Sequence, residues 1–519
     1  MVSHNDAATG GAGQNGAGGH HHGPREGLYV PFTTQSEVVR DLIGKHDKPS
    51  DKWWSGVAAG GILLTLGIIG FAIRMTDGVG DRIVWGYFAM MFAFVLTAAQ
   101  AAPMVAIAPR IANGHWRRPI SRAAEIWTAV GLFNMLLFIP MLWILPPLSE
   151  GRRTLWFGQS EEWSVFSTLF HLPAYDYMPH IMATLAMLAL VVTGVMLLWL
   201  SATPDLALIR DNGPDGWRKR WATKLSKNWI GSTAQWNMLH HRMGILGAFY
   251  FMMLIFVHFL ISVDFLMALV PGWIDSLFPI THAANALQAG VATVILTMIV
   301  LRQWGGYKEY ITLEQFWGVS KLLFALSLLW FWFWFSSFNV LWYGKKPNEQ
   351  GALELIMVGP YLPVFIGVFV LCFAAPLFVM MWNVVRKSIW GPTIMAVSVL
   401  LGTLLDRLRL YVSAYSVQVE RIIDDNLTHH YIHLDESGRL PLALRDAYIP
   451  FMEDSPVGKM WFIPEIMIVA GVIGGSVLVY LLFARLIPPM NIWEQKELML
   501  YKMHKTYHRT QVFVLGKPR

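Results

Sequence analysis

Residues 242–265, RMGILGAFYFMMLIFVHFLISVDF, decide the fold. After Arg242 the run carries no charge until Asp264, and its one imidazole is His258. A hydrocarbon core ~30 Å thick is crossed by ~20 apolar helical residues rising ~1.5 Å each, so this stretch is long enough to span a bilayer. It is not alone. Comparable runs lie near 54–73, 84–108, 120–145, 178–200, 283–301, 318–343, 357–384, 390–412 and 462–486. The chain is therefore expected to be an all-α integral membrane protein with about ten transmembrane helices. Composition agrees: 55% of residues are hydrophobic, only 14% are charged, and the mean hydropathy is +0.44. Lipid-facing helices need no polar outer face, so such values are rare outside membranes.

The net charge is +6, and its distribution carries a topology. Basic residues crowd the even-numbered loops: Arg110, Arg117, Arg118 and Arg122; then Arg210, Arg218, Lys219, Arg220, Lys224 and Lys227; then Arg302 and Lys308; then Arg386 and Lys387. The short odd loops hold only Arg74, Arg82, Arg152, Arg153, Lys345 and Lys346. The positive-inside rule then puts the even loops and both termini in the cytoplasm, as expected of a multi-pass protein of a bacterial inner membrane. These charges flank spans and form no single basic face, which argues against nucleic acid. With Cys372 the single cysteine, a cysteine-ligated iron–sulfur cluster or an internal disulfide framework is excluded. No metal site of the chain's own is expected. Residues 1–26 lack the apolar core of a cleavable signal peptide.

Five segments follow. Residues 1–50 form an N-terminal part whose Thr33-Thr34-Gln35-Ser36-Glu37 run caps an amphipathic surface helix carrying Val38, Val39, Leu42 and Ile43. Residues 51–412 are the transmembrane core, 413–460 an extracytoplasmic loop with Asp424, Asp425, His429, His430 and His433, 461–486 an additional span, and 487–519 a basic cytoplasmic tail. A second long external segment, 146–177, holds His171 and Asp176. Loops beyond ~12–15 residues are usually functional.

Ionisable groups inside a bilayer are costly and usually face a protein interior. Here they gather toward the extracytoplasmic ends: Asp176 and His180 at the fourth span, His258 and Asp264 at the fifth, Asp406 and Arg407 at the ninth, with His282 and Glu465 opening the sixth and tenth. Acids and imidazoles converging at one depth suit quinol oxidation, in which two protons leave with two electrons. The bland reading is that each residue caps or bonds a helix. Two other readings stay open at this point: haem ligation by His180 and His258, or a transporter. On the cytoplasmic half, Glu125 and Lys321 are candidates for a proton path, though such residues more often anchor helix ends. The aromatic run Trp330–Phe335 reads as lipid-facing and inter-helix packing.

Several motifs together resemble a known group: Pro204-Asp205-Leu206-Ala207 with Arg210-Asp211; His258 to Phe265 continuing into Leu269-Val270-Pro271-Gly272-Trp273 and Phe278-Pro279; Tyr310 to Leu313; Trp342-Tyr343-Gly344; Gly359-Pro360-Tyr361; and Leu405-Asp406-Arg407. Over roughly residues 80–480 the chain is similar to the polysulfide-reductase membrane-subunit (NrfD/PsrC) family, and within it to the quinol-site subunit of alternative complex III. The resemblance implies two four-helix bundles plus flanking helices and a (mena)quinol pocket near the outer face. That pocket would lie beneath an iron–sulfur partner subunit, with a multihaem c-type cytochrome, other membrane subunits and lipid as neighbours. By motif alignment Asp176 falls at a site aspartate of the family, His258 and Asp264 in its fifth-helix motif and Asp406 where it usually carries Glu. Asp176, His180, His258 and Asp264 are then expected to be catalytic, and His171, Trp273, Asp406 and Arg407 to line the quinone pocket. The chain itself would hold no haem or iron–sulfur cluster. Two positions depart from the family: Gln100 and Trp143 stand where histidines are expected, and His171 and His180 are the imidazoles that would replace them.

Overall fold

A computed structural model describes residues 34–76, 78, 82–145, 177–270, 272–359, 361–417, 458–507 and 510–515. His171, Asp176 and the histidines of the 413–460 loop lie outside the described residues. A capped surface helix α1 (Gln35–Asp47) leads into α2 (Asp51–Thr76), α3 (Gly86–Ala98) and α4 (Met104–Ile111). After these come α5 (Ser121–Ile144), α6 (Met178–Asn212), the short α7 (Trp217–Ser226), α8 (Thr233–Asp264), α9 (Phe278–Gln303) and α10 (Leu313–Gly344). The last helices are α11 (Leu362–Met380), α12 (Trp390–Arg407), α13 (Gly458–Leu486) and α14 (Ile492–Tyr501). A hairpin follows, β1 (Lys502–Tyr507) paired antiparallel with β2 (Thr510–Leu515), so the tail expected from sequence adds a helix and two strands to an otherwise helical chain.

Eight of these helices are long and apolar enough to cross a membrane: α2, α5, α6, α8, α9, α10, α11 and α13. Two of the ten expected runs depart from that pattern. The 84–108 run is not one helix. It stops at Ala98, turns through Ala99–Pro103 and restarts at Met104. Pro103 has no amide to continue the ladder. Gly290 of α9 presses its backbone on the turn so closely that a Cβ there would lie 2.6 Å from the Ala101 carbonyl carbon. The 390–412 run does stay helical, through a wide π turn at Leu408–Val412 to Ser416, but its far end carries Asp406, Arg407 and Arg409.

Burial locates the centre. In its most apolar window α9 is 78% buried, against 11% for α2. α9 packs on α3, α4, α5, α8, α10 and α12. It can do so because its surface is small: Ala283, Ala284, Ala286, Ala289 and Gly290 let neighbours approach, while His282, Asn285 and Gln288 recur on the inward face. α2 and α13 form a peripheral pair, docked through Gly67 on Gly471, where either Cβ would strike the other's Cα at 2.5 or 2.2 Å. An Arg74–Glu465 ion pair closes that contact.

At the arginine-rich end, the Thr34–Glu37 capping box starts α1. Its buried Val38, Val39, Leu42 and Ile43 dock on the chain's own α14 and α6. The apolar face expected to make α1 a surface helix is thus covered by the chain itself.

Candidate functional site

α8 and α9 each present one imidazole to the space between them. α9 begins where it does because Asp275 Oδ1 accepts from the Leu277 and Phe278 amides at 2.9 and 3.2 Å, and Pro279 occupies a first-turn position needing no amide partner. This sets His282 in the second turn, opposite His258. The two Nδ1 atoms are 2.8 Å apart, and both rings are buried. The Tyr411 hydroxyl, on the π turn beyond α12, lies 3.3 Å from His282 Nε2. At the other end, His258 Nε2 is buried with no hydrogen-bond partner among the described residues.

Hydrogen-bond chemistry restricts this row to two neutral arrangements. A neutral imidazole carries one N–H and one bare nitrogen. If Tyr411 donates to His282 Nε2, then His282 Nδ1–H donates to His258 Nδ1, and His258 Nε2 bears a hydrogen. If His282 Nε2–H donates to Tyr411, every role reverses and His258 Nε2 is bare. Moving one proton along the row converts one polarity to the other. The geometry is that of a short proton relay.

Beside it lies a charged group. Arg407 Nη2 donates to Asn285 Oδ1 at 2.6 Å, while its Nε and Nη1 are buried without partners among the described residues. Asp406 Oδ1 accepts from Arg409 Nη2 and Nε at 2.6 and 3.0 Å, and its other oxygen is 3.8 Å from Arg407. Two guanidinium groups thus share one carboxylate in a buried site, leaving Arg407 short of acceptors. Asn285 and Gln288 continue the polar row inward, Gln288 donating to Ser327 Oγ and the Cys372 carbonyl at 2.9 and 2.7 Å. A cavity of about 30 Å³ opens against His282, Arg407, Trp273, Phe278, Trp330 and Trp334, close to one water's share of volume (~30 Å³).

The structure divides the set expected from sequence. His258, Trp273, Asp406 and Arg407 belong to this neighbourhood. His180 is elsewhere: its Nε2 is 3.1 Å from the Leu145 carbonyl oxygen, and its ring rests on Tyr177 and Phe265. Asp264 is fully buried but lies six residues beyond His258, roughly 120° round the helix. His180 and His258 bond different partners, His180 Nε2 the Leu145 carbonyl and His258 Nδ1 the His282 ring. Among the described residues no group of three or more His, Cys, Asp or Glu is placed to hold a metal. Of the two positions where histidines were expected, Gln100 is buried at the helix break and bonded to Asn134 at 3.3 Å, whereas Trp143 is 72% exposed. No protein-family model matches the chain, and no curated protein matches it in sequence.

His282 was noticed in the sequence only as a residue opening a span, and Tyr411, Asn285 and Arg409 were not singled out. A signal for two of them exists: His282, Asn285 and Gln288 recur every three residues in an alanine-rich helix, marking a polar stripe. Tyr411 has none, because the π turn aims it. In the aromatic run, Trp332 is 63% exposed, as packing against lipid requires, but Trp330 and Trp334 line the cavity.

The two proton-path candidates differ in setting. Lys321 is exposed and sits over the Trp317 ring, 3.9 Å from its centroid. Glu125 is fully buried in an ion network: Arg110 Nη2 at 2.6 Å, Arg122 Nε at 3.3 Å and Ser201 Oγ at 2.5 Å. Arg122 reaches on to Asp205 at 3.2 Å, and Arg110 and Arg117 reach Glu494 of α14 at 3.5 and 2.6 Å. Three arginines and three carboxylates balance, and the network fastens α14 to the membrane helices. Asp205 also accepts from the Trp493 amide at 2.9 Å.

Proposed function

We propose that this chain is the quinol-handling membrane subunit of a bacterial electron-transfer complex. On this reading (mena)quinol binds near the extracytoplasmic face, electrons pass to an iron–sulfur partner, and multihaem c-type cytochrome and further membrane subunits complete the assembly. The partners and the quinone type come from the resemblance to the NrfD/PsrC family. The chemistry rests on one observation: the Tyr411–His282–His258 row ends at a buried, unpartnered Nε2, in the same region as an Arg407 with two unpartnered N–H groups.

Buried polar atoms without partners cost about 1–3 kcal/mol each, a cost that a bound ligand or an ordered water offsets. A quinol, when bound, supplies two electrons and two protons. Its ring oxygens are the acceptors that Arg407 Nε and Nη1 lack. Arg407 would hold and orient an oxygen, with Asn285 fixing the guanidinium. His258 would take the two protons one after the other at Nε2, and the row would deliver each toward Tyr411. Trp273, Phe278 and Trp330 keep bulk water from the region. Proton translocation through the rest of the bundle would fall to Glu125 or Lys321, the proton-path candidates of the other half.

A second reading, a membrane anchor without quinone chemistry, draws support from the cavity: about 30 Å³ holds a water and no aromatic ring. Quinol turnover by the purified complex separates the two. The quinol reading expects His282→Ala to lower turnover strongly, and unchanged turnover in His180→Ala would remove His180 as a replacement for the family histidines. Unchanged turnover in His282→Ala, in a normally assembled complex, would leave the anchor.

A further inference from the structure

The linker between α6 and α8 contains a surface that the quinol reading does not use. α7 is held from behind: Trp199 Nε1 donates to the Leu225 carbonyl at 3.1 Å, Arg210 donates to the carbonyls of Lys227 and Trp229 at 3.3 and 3.0 Å, and Ala222 and Ser226 are buried. The helix is thus fixed along the arginine-rich end of α6. At ~100° per residue, Trp217, Arg220, Trp221 and Lys224 fall within an arc of about 100°. That arc faces outward: Trp217 and Trp221 are 48% and 50% exposed, and both cations are exposed.

The other charges of α7 are spoken for. Arg218 pairs with Asp47 at 2.9 Å and Lys219 with Asp215 at 2.8 Å. Arg220 and Lys224 have no carboxylate partner among the described residues. Two free cations between two half-exposed indoles, held level with the ends of spanning helices, match the requirements of a headgroup layer. Indoles favour the membrane–water boundary and cations favour its phosphates. An acidic protein would complement the charge, yet it would give no reason for indoles at that depth.

We propose that α7 is a binding site for anionic phospholipid, with Arg220 and Lys224 taking the headgroup phosphate and Trp217 and Trp221 seated in the headgroup layer beside it. Native mass spectrometry of the full-length protein, titrated separately with phosphatidylglycerol and phosphatidylcholine, tests this. Each basic residue near an anionic surface contributes ~1 kcal/mol, so Arg220→Gln with Lys224→Gln should weaken the tightest phosphatidylglycerol step about thirtyfold and leave phosphatidylcholine unchanged. The swap Arg220→Lys with Lys224→Arg should keep it. Should the double variant fail to fold, each single variant should weaken that step about fivefold. Unchanged phosphatidylglycerol affinity would overturn the proposal. So would unchanged lipid affinity with loss of a co-purifying acidic protein, which would make α7 a protein interface.

Discussion

His258 and His282 face each other across the α8–α9 contact with their Nδ1 atoms 2.8 Å apart, and Tyr411 holds the far nitrogen of His282. A row of this kind works only while every member is present. Removing a positioned acid or base typically costs ~10²–10⁴ in rate. His282→Ala, which breaks the row in the middle, should therefore lower quinol turnover by about a hundredfold or more. Tyr411→Phe keeps the ring and deletes only the terminal hydroxyl, so a smaller loss, about tenfold, is expected. Trp143→Ala, on an exposed face, should change nothing. Steady-state turnover of the assembled complex measures all three, and equal activity in His282→Ala and the parent would refute the relay.

The α2–α13 pair gives a stability test independent of function. A Cβ on Gly471 would lie 2.2 Å from the Gly67 Cα, a clash with backbone that no rotamer relieves. Gly471→Ala should separate the helices and cost about 1–3 kcal/mol, the range for overpacking. Gly61→Ala, with nothing within 4 Å of the added carbon, should be neutral or slightly stabilising. Thermal unfolding of the detergent-solubilised protein ranks the two, and equal melting temperatures would contradict the packing.

How far the sequence reached depends on the range of the interaction. The eight spanning helices were legible because an apolar run is a local property, and so was the α1 cap at Thr34–Glu37. The break in the 84–108 run was not legible, because the backbone pressure from Gly290 that accompanies Pro103 is tertiary and leaves no mark near it. His258 and Arg407 were legible as ionisable residues where lipid should forbid them. Their partners were not, since His282 and Asn285 come from α9, one helix after His258 and three before Arg407, and Tyr411 depends on a π turn. Glu125 read as a lone acid at a helix start because Asp205 and Glu494, its partners in charge balance, stand 80 and 369 positions away by their numbering.

Acid should loosen the arginine-rich end in two stages. His46 is pushed down to about 3 by burial first, then by Arg218 and Arg485, both of which also donate to its carbonyl oxygen. The unfolded imidazole titrates near 6.5, so between these values the unfolded chain binds more protons and stability falls as pH falls. Burial also tends to raise Glu494, but Arg117 and Arg110 outweigh it and hold the carboxyl at about 2. Its contribution is present above 4.5 and is lost toward 2. Protection from hydrogen exchange, taken relative to the unstructured rate at each pH, should therefore fall first in residues 35–47 as pH drops below about 6.5, with residues 492–501 following below about 4.5. His46→Gln should remove the first stage and leave the second. Identical pH profiles for that variant and the parent would refute the assignment.

Glu125 decides whether the buried network is a fastening or a port. Replacing one partner of a buried ion pair leaves the others uncompensated and costs about 3–5 kcal/mol. Glu125→Gln would strand Arg110 and Arg122, both within 3.3 Å of the lost charge. If the network only fastens α14, the variant should assemble poorly and melt lower, while the molecules that do assemble turn over normally. The effect should be partly rescued by Arg110→Gln, which restores the balance of charge. If Glu125 admits protons, turnover per assembled molecule should fall instead, and Arg110→Gln should not restore it. Turnover normalised to folded complex, measured beside the melting temperature in both variants, tells the two apart. The geometry favours the fastening, because both carboxylate oxygens are already engaged, one by Arg110 and the other by Arg122 and Ser201, and a proton carrier needs an oxygen that can let go.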